Sequence, residues 1–187
     1  MRTEWFKSAL VCALLAGAPA LAQEQGSDTQ TAEPQVGQTY LAETFADWQM
    51  RCTKREPEPD QCHIFQQLQN NDGGNVIRVS LFAVPGDQRV AAGAHIVAPL
   101  ETLLTANLRM VIDDSHFLEY PFSFCTVDGC LSRAAFTQED VDKMKAGANA
   151  VLSIVPAAFP DASVEPVMSL SGFTAGFNAL LERLPEQ

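Results

Sequence analysis

Apolar and polar residues alternate with a period of two along most of the chain, and a helical period takes over only near the C-terminus. Over residues 45–52, Ala46, Trp48, Met50 and Cys52 share one phase, while Asp47, Gln49 and Arg51 share the other. Over residues 62–68, Cys62, Ile64, Gln66 and Leu68 fall in phase. An antiparallel hairpin with Cys52 opposite Cys62 sets Met50 against Ile64 and Trp48 against Gln66, so one register serves both runs. The charged, proline-rich residues between them suit an exposed loop. Further on, Ile77, Val79, Leu81 and Ala83 alternate with Arg78, Ser80 and Phe82. Residues 90–98 are an apolar stretch closed by Pro99, and Leu108, Met110 and Ile112 alternate with Asn107, Arg109 and Asp113. Residues 117–124 and 130–136 read as two strands flanking a turn signalled by Asp128-Gly129. Residues 151–155 and 164–168 complete the set of strands.

Thr137 is placed to cap a short helix stopped by Gly147, with Phe136 and Val141 as a hydrophobic staple. Asp140 stands where a capping box prefers Glu or Gln. Leu170, Phe173, Phe177, Leu180, Leu181 and Leu184 keep helical spacing and form one apolar stripe, capped by Ser169 or Ser171. Many short, turn-bounded strands with two late helices predict a mainly β fold. The expected form is an antiparallel β-sandwich with one short internal helix and a C-terminal amphipathic helix.

The start of the chain follows a different logic. Arg2 and Lys7 precede an apolar run over residues 8–18, and Ala20-Leu21-Ala22 supplies a small-residue cleavage site, so residues 1–22 read as a secretory signal. The apolar run is too short to cross a bilayer, which takes about 20 residues, and no other stretch reads as a transmembrane segment. Residues 23–42 are polar and aperiodic and read as a flexible leader. The remaining residues, 43–187, are expected to form a single sandwich domain. The full chain has 12 basic and 23 acidic residues; once Arg2, Lys7 and Glu4 leave with the signal these become 10 and 22, a net charge of −12. That surface repels nucleic acid. The expected location is the periplasm or the cell surface of a Gram-negative bacterium.

An exported chain keeps its cysteines oxidised. Cys12 leaves with the signal, so Cys52, Cys62, Cys125 and Cys130 remain, and of their three possible connectivities the hairpin register selects Cys52–Cys62 and Cys125–Cys130. Loops this short are worth roughly 2–3 kcal/mol each in the chain-entropy view. Neither pair has the spacing of a zinc or redox motif.

Candidate chemistry is sparse. His63, His95 and His116 are the histidines, and none lies in a metal-binding motif. Asp113, Asp114 and His116 come closest to a cation cluster, and a metal-dependent hydrolase built on them is one alternative; a solvated turn is the plainer reading. By phase His63 points away from the core and is expected to be exposed. No nucleophile elbow is present, and Gly73-Gly74 opens no helix that would cradle a phosphate. Trp48, on the cysteine phase, reads as core. Phe173 and Phe177 read as a cover for an open end of the sandwich rather than a docking stripe.

Trp48-x-x-x-Cys52, its partner Cys62, and Pro121-Phe122-x-x-Cys125-x-x-x-Gly129-Cys130 occur in order. Met144-Lys145-x-Gly147 and Ser169-Leu170-Ser171-Gly172-Phe173-Thr174-Ala175 follow. In this set and order the chain resembles the invasion-associated locus B family of secreted alphaproteobacterial proteins, from about residue 45 to about residue 184. The resemblance implies an exported protein with a β-sandwich core, linked in intracellular pathogens to host-cell entry. It transfers no catalytic residue, because the shared positions serve folding. The chain departs from the family at Pro99-Leu100-Glu101, where members tend to carry a glycine soon after the proline. The expectation is therefore a non-enzymatic exported protein without cofactor or metal. It would bind an unidentified protein or envelope partner, or else serve as a structural envelope-stress protein.

Overall fold

The computed structural model describes residues 33–86 and 89–184. The expected signal, residues 1–22, and the first part of the expected leader lie outside the described residues. Eleven strands form two antiparallel sheets. The large sheet runs β1 (Thr39–Phe45), β2 (Trp48–Thr53), β3 (Gln61–Gln69), β4 (Asn75–Ala83), β5 (Ala92–Ala98), β9 (Gly129–Phe136) and β8 (Phe122–Thr126), in that spatial order. The small sheet runs β11 (Val167–Ser169), β10 (Asn149–Ser153), β6 (Leu108–Ile112) and β7 (His116–Tyr120). Two helices, α1 (Gln138–Ala146) and α2 (Phe173–Glu182), complete it. This is the mainly β sandwich with two helices that the alternation predicts.

Four strands cannot cover seven. Helix α2 covers the rest: it packs against β1 to β4 beside the small sheet, with Phe173, Phe177 and Leu180 buried. The two aromatic rings thus close the sandwich from within. Phe173 meets Trp48 edge-on at 5.6 Å, and both side chains are fully buried. The helix begins at Gly172 rather than at a serine cap, with φ 86 and no side-chain cap bond. A Cβ there would lie 2.0 Å from the Phe45 carbonyl oxygen, so glycine is needed both for the turn and for the close approach.

The first hairpin has the expected register: Cys52 pairs with Cys62, Met50 with Ile64, and Arg51 with His63. Cys52–Cys62 and Cys125–Cys130 are bonded, each across a neighbouring pair of strands in the large sheet. Three expectations are corrected. Residues 45–52 do not form one strand: Phe45 pairs with Trp48 across a two-residue turn at Ala46-Asp47, with Ala46 at φ 47. The end of the stretch expected as a leader, residues 23–42, is strand: Thr39, Tyr40 and Leu41 already pair with β2. Residues 117–124 also divide, at Pro121, into β7 of the small sheet and β8 of the large one. Proline has no N–H to extend the ladder, so the chain changes sheets there.

A buried polar knot ties the sheets together. The Ser169 carbonyl on β11 accepts from Trp48 Nε1 (2.9 Å) and from Gln66 Nε2 (3.0 Å). Gln66 Oε1 accepts from the Ser169 amide at 3.0 Å, and Gln66 Nε2 also donates to the Asp47 carbonyl at 3.2 Å. Ser169 Oγ donates to Asp47 Oδ2 at 2.6 Å. Gln66 therefore lies on the apolar phase of β3 with both ends of its amide satisfied, as a buried polar group must be.

A second tie joins α1 to β7. Thr137 and Asp140 complete a capping box, the short Asp side chain reaching the Thr137 amide at 2.7 Å. His116 Nε2 donates to the other carboxylate oxygen of Asp140 at 2.6 Å. Burial acts to raise the Asp140 pKa, but the bonds from His116 and Thr137 outweigh it and hold the carboxyl below its ordinary range. In the loop after β5, Glu101 adopts φ 66, a conformation that glycine takes without strain.

Two outcomes follow for stability. Gln66→Leu keeps the volume but orphans the Ser169 amide, and should lower the unfolding free energy by roughly 2–3 kcal/mol in a denaturant titration. A change below ~0.5 kcal/mol would remove the knot from the account. The lowered pKa of Asp140 contributes stability that is fully present above the unfolded value of about 4 and is lost as pH falls through the folded pKa. Unfolding free energy measured between about pH 5 and pH 2 should therefore fall less steeply in Asp140→Asn than in the unmodified protein.

Candidate binding surface on the small sheet

The residues singled out as a cation cluster do not converge. Asp113 and Asp114 are the first two residues of the three-residue turn between β6 and β7, at φ 43 and 55, a backbone that Asp tolerates better than most residues. Asp113 Oδ1 accepts from the amides of Ala148 and Asn149, both at 3.1 Å, pinning the turn to the start of β10. His116 is committed to Asp140, and Asp114 faces solvent at the end of a groove. Among the described residues no group of three His, Cys, Asp or Glu side chains is placed to hold a metal ion. The metal-dependent alternative therefore has no centre to work from.

His63 is a partial correction. It points away from the core as its phase requires, yet it is half-buried between neighbours on the sheet. Burial, then Arg51 and His95, push its pKa down. Its carrier strand is wide and crowded on the outside, a density that a single-strand pattern does not reveal. His95 is exposed, and Trp48 is core as expected.

The feature that sequence reasoning missed lies on the outer face of the small sheet. Leu108, Met110 and Ile112 point into the sandwich, and so do Ala150, Leu152 and Met168. The outward phase should then be polar, and half of it is. Ser153, Arg109 and Glu119 form one cross-strand row. The other row is Val167, Val151, Val111 and Phe117, which pair in sequence across all four strands. Phe117 is 73% exposed and Val167 52%. The signal was present, since Val111, Val151 and Phe117 are apolar on the phase opposite the core. It became legible only once four separate strands were aligned.

Val151, Val111 and Phe117 of this row floor a groove of about 650 Å³, and Val167 extends the row beyond it. Its charged rim is Arg109 and Glu119, paired at 3.2 Å, with Glu165 beyond them and Asp114 at the far end. Asn107 Nδ2 donates to Glu119 at 2.7 Å, and this bond, reinforced by Arg109, lowers the Glu119 pKa. Glu165 accepts from Ser163 Oγ at 2.8 Å. An apolar strip framed by charges of both signs is the anatomy of a protein-binding patch. Ser153 Oγ, also lining the groove, donates to Glu165 Oε1 at 3.4 Å. Among the described residues no helix is long and apolar enough to cross a membrane.

Comparison with known proteins places the chain. The family model described as "Invasion associated locus B (IalB) protein" matches residues 48–181. Two invasion protein B homologs of Brucella abortus, from strain 2308 and from biovar 1 strain 9-941, are each 26% identical over 144 residues, covering 77% of this chain and 81% of theirs. The crystal structure of invasion associated protein B from Bartonella henselae superimposes with a TM-score of 0.63 at 22% identity, over 76% of this chain and 96% of that one. With the family model spanning the two disulfides, the sheet-changing Pro121 and most of α2, the chain belongs to the invasion associated locus B family.

Proposed function

We propose that this chain is an exported, non-enzymatic binding protein of the bacterial periplasm or cell surface, shed of residues 1–22. Its working surface is the apolar row across the small sheet. The observation that carries the reading is that row: four apolar side chains aligned outward over four strands, with Phe117 mostly uncovered. Removing apolar surface from water is worth about 25 cal/mol per Å², so a fold that leaves such a strip bare keeps it for contact. The rim of Arg109, Glu119 and Glu165 suits a protein partner that inserts an apolar anchor and meets the rim with polar groups.

Two further features support export and binding. Disulfides persist in oxidising compartments, and both pairs here are closed. Of the Asp113, Asp114 and His116 set, Asp113 is engaged by backbone amides and His116 by Asp140. The Brucella relatives are named for invasion. Contact with a host-cell surface is the part of that name which an exposed apolar row supports for this chain.

The test removes the row without touching the core. Phe117→Ser combined with Val167→Ser should leave the thermal midpoint within a few degrees, because both side chains are already more than half exposed. Binding of the labelled mature protein to envelope fractions or host-cell surfaces should weaken about tenfold or more. Undiminished binding by the folded double variant would overturn the assignment of this face.

A further inference from the structure

The outer face of the large sheet carries the opposite charge to the chain as a whole. Register fixes its occupants. Arg51 stands opposite His63; Phe65, Ser80, His95 and Arg133 form one row across β3, β4, β5 and β9, and Gln67, Arg78, Val97 and Leu131 form the next. Every charged residue that these strands and β2 place on this face is an arginine, with two histidines among them. No Asp or Glu lies there, in a chain of 23 acidic and 12 basic residues.

The three arginines are also unpaired with carboxylates among the described residues. The Arg51 guanidinium lies 3.5 Å above the Phe65 ring, and its Nη2 donates to Gln49 Oε1 at 2.8 Å. Arg78 Nη2 donates to the Asp128 backbone carbonyl at 2.8 Å. Arg133 stands over Phe124, 5.7 Å from the ring centre. Neutral partners orient these groups without cancelling them, and most of the five N–H donors of each remain unspent. Like charges gathered without counter-charge repel. An incoming anion relieves that repulsion.

The shape of the face narrows the anion. A spacing of about 4.8 Å between strands sets β2 and β9 roughly 19 Å apart, so Arg51 and Arg133 mark out a track across the sheet rather than a pocket. The rings within it are occupied: Phe65 lies under Arg51, and Phe82 lies over Gly93, where a Cβ would come within 2.5 Å of the ring. Little apolar surface is left there to insert into lipid or to stack bases. Between the cations stand Gln49, Gln67 and Ser80, whose amide and hydroxyl groups match sugar hydroxyls.

We propose that this face binds a linear acidic polysaccharide, its carboxylate or sulfate groups on Arg51 and Arg133 and its hydroxyls on the polar residues between them. The surface is distinct from the small-sheet groove, and the two are separable by mutation.

The experiment measures binding of the mature protein to heparin, a sulfated chain, and to polygalacturonate, a carboxylate chain, by calorimetry at low salt. Single-stranded DNA of matched length is the comparison. The unmodified protein should bind at least one polysaccharide, more tightly than the DNA. Arg51→Gln combined with Arg133→Gln should weaken that binding about tenfold or more, while Lys143→Gln, the loss of one positive charge on α1, should not. Because Arg51 packs on Phe65, the exposed Arg133→Gln alone is a second variant, expected to weaken binding by several fold with the thermal midpoint unchanged. No binding to either polysaccharide, equal binding to DNA, or full binding by the folded variants would each overturn the proposal. Phe117→Ser with Val167→Ser should leave polysaccharide binding intact, so failure of the groove reading and failure of this one are distinguishable.

Discussion

The Ser169 carbonyl, accepting from both Trp48 and Gln66, is the constraint on which the sandwich rests. Apolar burial pulls two sheets together without specifying how they align. A pair of directional, partly buried bonds does specify it, because misalignment leaves polar groups unsatisfied. β11 is three residues long and has little ladder of its own, so the knot holds the edge of the small sheet against β2 and β3. The chain then has only Leu170, Ser171 and Gly172 before α2 begins, and the Ser171 carbonyl accepts from the Asp47 amide. The same contact that sets the second sheet therefore also sets where Phe173 meets Trp48.

From that alignment the rest of the surface follows. A layer of seven strands faces a layer made of four strands and a helix, so the inner faces are covered and both outer faces are left to solvent. One outer face is apolar along a row, the other is cationic, and neither is enclosed. Several acid–base side chains are spent on the frame. Asp113 holds the turn to β10, and Asp140 holds both the Thr137 cap and His116.

The large-sheet hairpins were legible in the sequence because two signals of the same period coincided there. Cysteine positions and the apolar phase required one register, and a slip by a single residue would have broken both. Where only one signal was present, local reading went astray. Ala46 keeps the apolar phase of its neighbours but sits in a turn, since Gly172 packs against Phe45 from across the fold. His116 reads with Asp113 and Asp114 as a cluster of ligands because they are near in sequence, yet its partner is 24 residues away. The apolar outer row failed for the same reason. Each of Val111, Val151 and Phe117 is an unremarkable outward-facing residue on its own strand, and only the order β11-β10-β6-β7 makes them one feature.

The placement of the disulfides fits the division of labour between the faces. Neither bond joins one sheet to the other; Cys52–Cys62 lies across β2 and β3 near one side of the large sheet, and Cys125–Cys130 lies across β8 and β9 at the opposite side. Cohesion between the layers is thus left to the apolar core and the Ser169 knot, while the bonds restrain the flanks of the broad sheet. A β8 strand at the edge, largely exposed and paired on one side only, has little burial to hold it. Its tether to β9 supplies what burial does not. Arg51 directly precedes Cys52, and Phe124, beneath Arg133, directly precedes Cys125. The covalent restraints therefore stand at the two ends of the cationic track, where strand slippage would otherwise change the distance between its outermost guanidinium groups.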